Sequence, residues 1–431
     1  MESKVLVAPK NDANDSFKIQ SFYNFVRSNP KTDKFKVKRF HHIEFWCGDA
    51  TNTSLLFSLG LGMPMLAKSD QSTGNLVHAS YVLRSGDLHF LFTAPYSSSS
   101  SLSTPSIPTF DYEAHASFLS SHGLGVRAVA IEVEDAKSAF AASVATGARP
   151  SAPPVLLEDE QTMFAEVHLF GDVVLRLVSH AQSGATNDQT CYFLPKFSPT
   201  LDDGSVAEFG IQRLDHAAGS VAELKTVVEY AMKITGFHEF VPFAAEDLHG
   251  KTETGLQSVF LANNDESVFF NFSEPVYGTT MKSPIETFLE RNSGPGVHHL
   301  AVLTDDIFKT IREMKKRSLF DFMPPPKEDY YKNLRKWTKH ILSEKEIQEC
   351  ESLGLKVDND HEGVIIQTFT KPIGDRLSIF IEVIQRIGCM VQGEDGKLHQ
   401  KGGCGGFGNG NNFSEVIKSL EKYEKTLHLK V

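Results

Sequence analysis

Gly296-Val-His-His-Leu-Ala-Val-Leu-Thr-Asp-Asp306 and Gly125-Val-Arg-Ala-Val-Ala-Ile-Glu-Val-Glu-Asp135 share one pattern: a glycine, an apolar strand-like run, then an acidic residue that opens a helical stretch. His299 and Ala128 occupy matching places 171 residues apart. Arg213-Leu-Asp-His-Ala-Ala-Gly219 likewise repeats Arg39-Phe-His-His-Ile-Glu-Phe45 at an offset of 174. Two matches at nearly one offset mark a duplicated half. Inside each half the strand-then-helix pattern recurs, from His42 to Ala128 and from His216 to His299, so the chain reads as four modules in two domains. Asp135 and Asp306 are placed to cap helices over 135–145 and 306–316. Short strands are expected at Leu88–Phe92, Val173–Leu177 and Ser267–Phe270. Strand, helix, then several strands predicts an α+β fold with curved, antiparallel-rich sheets.

At 431 residues the chain suits two domains, each able to bury its own core. Ser97–Pro108 reads as a Ser/Pro-rich loop and Ser179–Thr190 as a polar linker, which puts the boundary near 180–205. The expected parts are a flexible N-terminus over 1–24, a structural domain over 25–190, and a second domain over 205–431. Gly402–Gly410 lacks the Gly-Lys-Ser/Thr ending of a phosphate loop and reads as a hinge. Asn412 and Glu415 have capping-box spacing, and Val416, Leu420, Tyr423 and Leu427 fall at helical spacing. A glycine hinge leading into a terminal amphipathic helix, together about 402–428, is how a lid is built.

Composition removes several classes. A net charge of −11 argues against nucleic acid, since the basic run Lys31–Arg39 is short and interrupted by Phe35 and Val37. No apolar run approaches the ~20 residues needed to span a bilayer, so no membrane partner is expected. The five cysteines form no CxxC pair and are odd in number, which predicts free thiols in a reducing compartment. Residues 1–18 have neither a secretory apolar core nor the composition of a transit peptide, and cytoplasm is the expectation.

Three apolar strand-like runs each hold one metal-capable side chain: His216, His299 and Glu382, the last within Ile379-Phe-Ile-Glu-Val-Ile384. Two neutral imidazoles and a carboxylate form the facial set that binds Fe(II) and leaves positions open for substrate and O2. A strand-borne glutamate is costly to bury without a partner. Period-2 alternation puts only one of His298 and His299 on the inner face, and the repeat register favours His299. Because Ala128 stands where His299 stands in the second half, the first domain is expected to be a scaffold without metal.

The same stretches carry a resemblance. Arg39-Phe-His-His-Ile-Glu-Phe-Trp-Cys-Gly-Asp-Ala50, Gly123–Asp135, Phe369-Thr-Lys-Pro372 and Gly402-Gly-Cys-Gly-Gly-Phe-Gly408 resemble plant-type 4-hydroxyphenylpyruvate dioxygenases of the vicinal-oxygen-chelate superfamily, over nearly the whole chain. The resemblance implies two domains of paired βαβββ modules, a homodimer, and one Fe(II) per chain on His216, His299 and Glu382. It implies a 2-oxo acid substrate that chelates the iron itself, so that O2 is the co-substrate and no separate 2-oxoglutarate is needed. 4-Hydroxyphenylpyruvate would leave as homogentisate. Ser258, Gln367, Phe369, Phe380 and Phe413 match residues that line the family's site. Three polar positions depart: Ser273 stands for asparagine, Pro284 for glutamine and His298 for glutamine. Those departures keep open a changed substrate or product, such as a 4-hydroxymandelate or another aryl or aliphatic 2-oxo acid, and a non-catalytic 2-oxo acid binding protein.

Overall fold

The structure, a computed structural model, describes residues 19–428 except 97–104, 182–192, 201–203, 205, 249, 339–340, 361–362, 393–395 and 408–410. Four βαβββ modules are present. The first is β1 (Val37–Trp46), α1 (Ala50–Leu61), β2 (Met65–Ser69), β3 (His78–Ser85) and β4 (Leu88–Pro95). After α2 (Tyr112–His122) comes the second: β5 (Gly125–Val133), α3 (Ala136–Ala145), β6 (Pro150–Leu156), β7 (Thr162–Phe170) and β8 (Val173–His180). A short β9 (Ser198–Pro199) precedes the third module: β10 (Ile211–Ser220), α4 (Leu224–Thr235), β11 (His238–Phe243), α5 (Ala245–Leu248), β12 (Gly255–Ala262) and β13 (Phe269–Val276). Beyond α6 (Pro284–Arg291) lies the fourth, β14 (Gly296–Thr304) and α7 (Ile307–Arg317), then the inserted α8 (Glu328–Trp337) and α9 (Glu344–Leu353), then β15 (Lys356–Asn359), β16 (Gly363–Phe369) and β17 (Phe380–Gly388). The hairpin β18 (Met390–Gln392) and β19 (Leu398–Gln400) leads to α10 (Asn411–His428).

The strands form two large mixed sheets, in the orders β6-β7-β8-β5-β1-β4-β3-β2-β9 and β11-β12-β13-β10-β14-β17-β16-β15. In each, two modules meet at a central antiparallel pair, β1 with β5 and β10 with β14. Parallel partners flank that pair, β4 and β8 in the first sheet and β13 and β17 in the second. The predicted caps are in place: Asp135 accepts from Lys137 N–H and Asp306 from Lys309 N–H. Ser283 caps α6 through Ile285 N–H, with Pro284 at the first helical position.

Each half buries apolar clusters of its own, and the two also share one. One apolar cluster runs through both, with edge-on contacts joining Phe40 to Phe270, Phe170 to Phe272 and Phe57 to Phe320. Gly219 is required at this seam, because a Cβ there would lie 2.5 Å from the Phe170 ring. Of the N-terminal residues expected to be flexible, 1–18 lie outside the described residues. Residues 19–24 are held, with Ser21 Oγ donating to Asp247 Oδ1 at 2.6 Å and Phe22 stacked on Phe243.

The glycine-rich segment read as a hinge is tightly packed up to Phe407. A Cβ on Gly402 would fall 1.6 Å from Glu266 O, so glycine is there for close backbone approach. This packing also corrects the cysteine reading. Cys404 folds back beneath the end of β17 and is joined to Cys389 in a disulfide, while Cys47 and Cys350 are free and buried. Among the described residues, no helix is long and apolar enough to cross a membrane.

Candidate active site

The register of the second sheet brings the three sequence-predicted donors together. β10, β14 and β17 lie side by side, with Ala218 opposite His299 and Ala301 opposite Glu382. His216 Nε2 is 3.2 Å from His299 Nε2, and Glu382 Oε2 lies 3.3 Å and 3.4 Å from those two nitrogens. One ligand atom from each residue falls within 4.8 Å of the others. Asp215 Oδ1 lies 2.9 Å from His216 Nδ1. A carboxylate only accepts, so Nδ1 carries the proton and the Nε2 lone pair faces the cluster. Burial would raise Glu382, but hydrogen bonds and charge from His216 and His299 hold it down, to about 2. Two imidazoles and a carboxylate converging at this range fit a divalent metal, which would take the place of the protons the imidazoles otherwise share with Glu382.

Asp215 is itself held. Arg386, buried at the far end of β17, donates from Nε to Asp215 Oδ2 at 2.7 Å and from Nη2 to Oδ1 at 2.8 Å. Its Nη1 donates to the carbonyls of Cys404 and Gly406, and its guanidinium stands over the Phe407 ring. Phe407 meets His216 edge-on. The pair thus fixes one candidate ligand and the start of the C-terminal segment at once.

The first half supplies an internal comparison. Ala130 opposes both His42 and Arg176, as Ala301 opposes both His216 and Glu382. Arg176 therefore takes the place of Glu382, and a guanidinium replaces a carboxylate. It donates to His42 Nε2 at 2.8 Å and pairs with Glu44 at 2.5 Å and Glu166 at 2.8 Å, all buried. His41 and His180, 3.5 Å apart, stand where Asp215 and Arg386 stand in the second half. Replacing Arg176 by methionine would leave two buried carboxylates without a cation. Thermal and denaturant melts should then show a loss of about 3–5 kcal/mol.

Above the candidate ligands opens a cavity. Ser258, Ser273, His298, Gln367, Phe369 and Phe380, all expected at the site, line it, as does Pro284. Phe380 stacks on His299, and Phe369 meets both edge-on. The side chain of Phe413 lies outside the described residues, as does the Asn412 cap. His298 corrects the alternation argument, because it faces the cavity beside His299. The β10–β14 ladder slips between Ala218–His299 and Gly219–Val297, and this bulge leaves His298 unpaired and re-aims it inward. Burial and the neighbouring His299 and His216 push its pKa well down, so it enters the cavity as a neutral imidazole, 3.1 Å from Ser220 Oγ. Ser220 and Asn271 were not anticipated. Asn271 Nδ2 donates to Ser258 Oγ at 2.6 Å and its Oδ1 accepts from Ser273 Oγ at 3.1 Å.

Helix α10 closes the cavity with Val416, Leu420 and Tyr423. It is latched at two points: Glu421 accepts from the N–H groups of Glu253 and Thr254, and Glu424 takes a two-point pair from Arg291.

Duplicated βαβββ modules, with two strand-borne histidines and a glutamate on the floor of a ring-lined cavity, define a vicinal-oxygen-chelate fold carrying a facial-triad donor set. Comparison with known proteins agrees. The chain belongs to the 4-hydroxyphenylpyruvate dioxygenase family. It is 58% identical to the 4-hydroxyphenylpyruvate dioxygenase of Plectranthus scutellarioides over 421 residues, 96% of this chain and 95% of that protein. It is 58% identical to that of Arabidopsis thaliana over 424 residues, 96% and 94% of the two chains. The Daucus carota enzyme is 55% identical over 439 residues, 100% of this chain and 97% of that one. Among solved structures, a triple mutant of 4-hydroxymandelate synthase from Streptomyces coelicolor matches with a TM-score of 0.72 at 23% identity, over 90% of this chain and 99% of that one, which supports the fold. No family model matches the chain.

Proposed function

We propose that this chain is a non-haem Fe(II) dioxygenase that converts 4-hydroxyphenylpyruvate and O2 to homogentisate and CO2. The observation that carries the reading is the convergence of His216 Nε2, His299 Nε2 and Glu382 Oε2 beneath an aromatic cavity, in a chain of this family. These three residues would hold one Fe(II) per chain. When bound, the iron supplies Lewis acidity toward the substrate's 2-oxo acid and an open position for O2, with no separate 2-oxoglutarate.

The protein's own part is positioning. Asp215 keeps the His216 proton on Nδ1 and so presents Nε2 to the metal. Phe369 and Phe380 set the ring of the substrate against the reacting centre. Ser258, Ser273, Gln367 and His298 present polar atoms around it, and Phe413 would join Phe369 and Phe380 in enclosing the ring. Helix α10, carried on the segment after Gly402, acts as the lid that keeps water out. The two-domain division, 25–190 as a metal-free scaffold and 205–431 as the catalytic part, is supported by Arg176 at the position of Glu382. The homodimer belongs to this proposal, and light scattering on the eluted protein tests it.

The deciding experiment is product analysis with 4-hydroxyphenylpyruvate, Fe(II) and O2. Homogentisate with stoichiometric O2 uptake is the expected result. A second reading, changed substrate or product, is favoured by His298, Ser273 and Pro284 in the cavity wall. It would be upheld by 4-hydroxymandelate as the main product, or by faster turnover of another 2-oxo acid. Absence of any 2-oxo-acid-dependent O2 uptake would overturn both.

A further inference from the structure

One buried charge has no part in the reading above. Lys356 opens β15, is 1% exposed, and lies directly opposite Gln367 in the antiparallel β15–β16 pair. Directly opposed residues point to one face of a sheet, so Lys356 stands on the face that carries Gln367. Gln367 and Phe369, two positions on, line the cavity. The ammonium sits 5.4 Å from the centre of the Phe369 ring, and Phe369 packs with Phe380 and Tyr423.

Among the described residues the ammonium has neither a hydrogen bond nor an ion pair. The two carboxylates whose charge it feels are Glu415 and Glu382. Both are engaged elsewhere, Glu415 with Lys418 at 2.7 Å and Glu382 with His216 and His299. A buried ammonium without a counter-charge is expensive. Strands β15 and β16 flank the candidate ligands on the side opposite β12 and β13, which carry Ser258 and Ser273. Helix α10, which closes the cavity, packs against β15, so Lys356 stands beside the Phe369 ring at the end of the site that α10 covers.

We propose that Lys356 is a specificity-determining residue of this site, whose ammonium receives a hydrogen-bond-accepting oxygen at the end of the substrate remote from the 2-oxo acid. The inference rests on the reading of this cavity as a 2-oxo acid site. A phenolic hydroxyl and a second carboxylate share the required chemistry, and the experiment separates them.

The test uses full-length protein loaded with Co(II) and kept free of O2, so that binding is read without turnover. Dissociation constants are measured by calorimetry for phenylpyruvate, 4-hydroxyphenylpyruvate and 4-carboxyphenylpyruvate, on wild type, Lys356→Met and Lys356→Arg. Methionine keeps the length and removes a buried charge, so folding should survive. Wild type is expected to favour at least one oxygen-bearing acid over phenylpyruvate by about 10–100-fold, the range of a hydrogen bond to a charged group. In Lys356→Met that ratio should collapse toward one, and Lys356→Arg should retain part of it. The preferred acid tells phenol from carboxylate. An unchanged ratio in Lys356→Met overturns the proposal. An equal loss of affinity for all three acids does so too, because it assigns Lys356 to holding α10 in place. Lys356-dependent selectivity in a protein that turns over none of the three would uphold this inference while overturning the catalytic one.

Discussion

Glu382→Gln is expected to abolish 2-oxo-acid-dependent O2 uptake and to remove tight Fe(II) binding. The amide has nearly the shape of the carboxylate, so packing within β17 survives the change. What is lost is the only negative charge among the three converging donors. The neutral donors His216 and His299 alone cannot offset a dication in a site that is nearly fully buried. The paired measurement is an anaerobic Fe(II) titration against a competing chelator, with a thermal melt of the metal-free protein as control. The metal-free melt should show a folded protein with a lowered Tm, because His216 and His299 stabilise the carboxylate that the substitution removes. Retained tight iron binding would show that the metal sits elsewhere.

Asp215→Asn carries the second large effect, on two quantities at once. Arg386 is fully buried, and Asp215 supplies its carboxylate partner. Removing that charge should destabilise the metal-free protein by about 3–5 kcal/mol, the usual result of stranding one member of a buried pair. The asparagine side chain can also present its NH2 to His216 Nδ1 and draw the imidazole proton onto Nε2. Metal affinity should then fall ~10–100-fold, the range seen when the partner of a ligating histidine is lost. Denaturant melts without metal and chelator titrations with it read the two effects separately. A stability loss with unchanged metal affinity would assign the Asp215–Arg386 pair to anchoring residues 402–407 alone.

Much of this was legible in the sequence, for a specific reason. A titratable residue inside an apolar strand stands out against its neighbours, and the duplication supplied a second copy to align with it. His216 and His299 stand out in that way, Glu382 by its place in an apolar strand alone, and the four modules follow from the same register, their βαβββ make-up being what the family resemblance implies. Arg176 gave the same signal inside Val173-Val-Leu-Arg-Leu177. Its meaning appears only when β8 is laid beside β5, because the inversion of charge relative to Glu382 is a statement about register.

Other features depend on backbone detail that residue patterns do not encode. The turned-in His298 needs a bulge in β14, and strict alternation predicts the opposite. Asp215 and Arg386 are 171 residues apart and meet through strands that are not sheet neighbours. The Cys389–Cys404 disulfide joins residues whose spacing matches no familiar motif; it follows from the path of the glycine segment under β17. The core shared by the two halves arises from aromatic side chains of each half packing across the seam, which composition alone cannot locate.

The account turns on one metal per chain, in the second half only. Crystals grown anaerobically with Fe(II) and measured across the iron absorption edge test this directly. One anomalous peak per chain, enclosed by His216, His299 and Glu382, with none beside Arg176, is the predicted result. A peak in the first half, or none among the three donors at saturating iron, would contradict it.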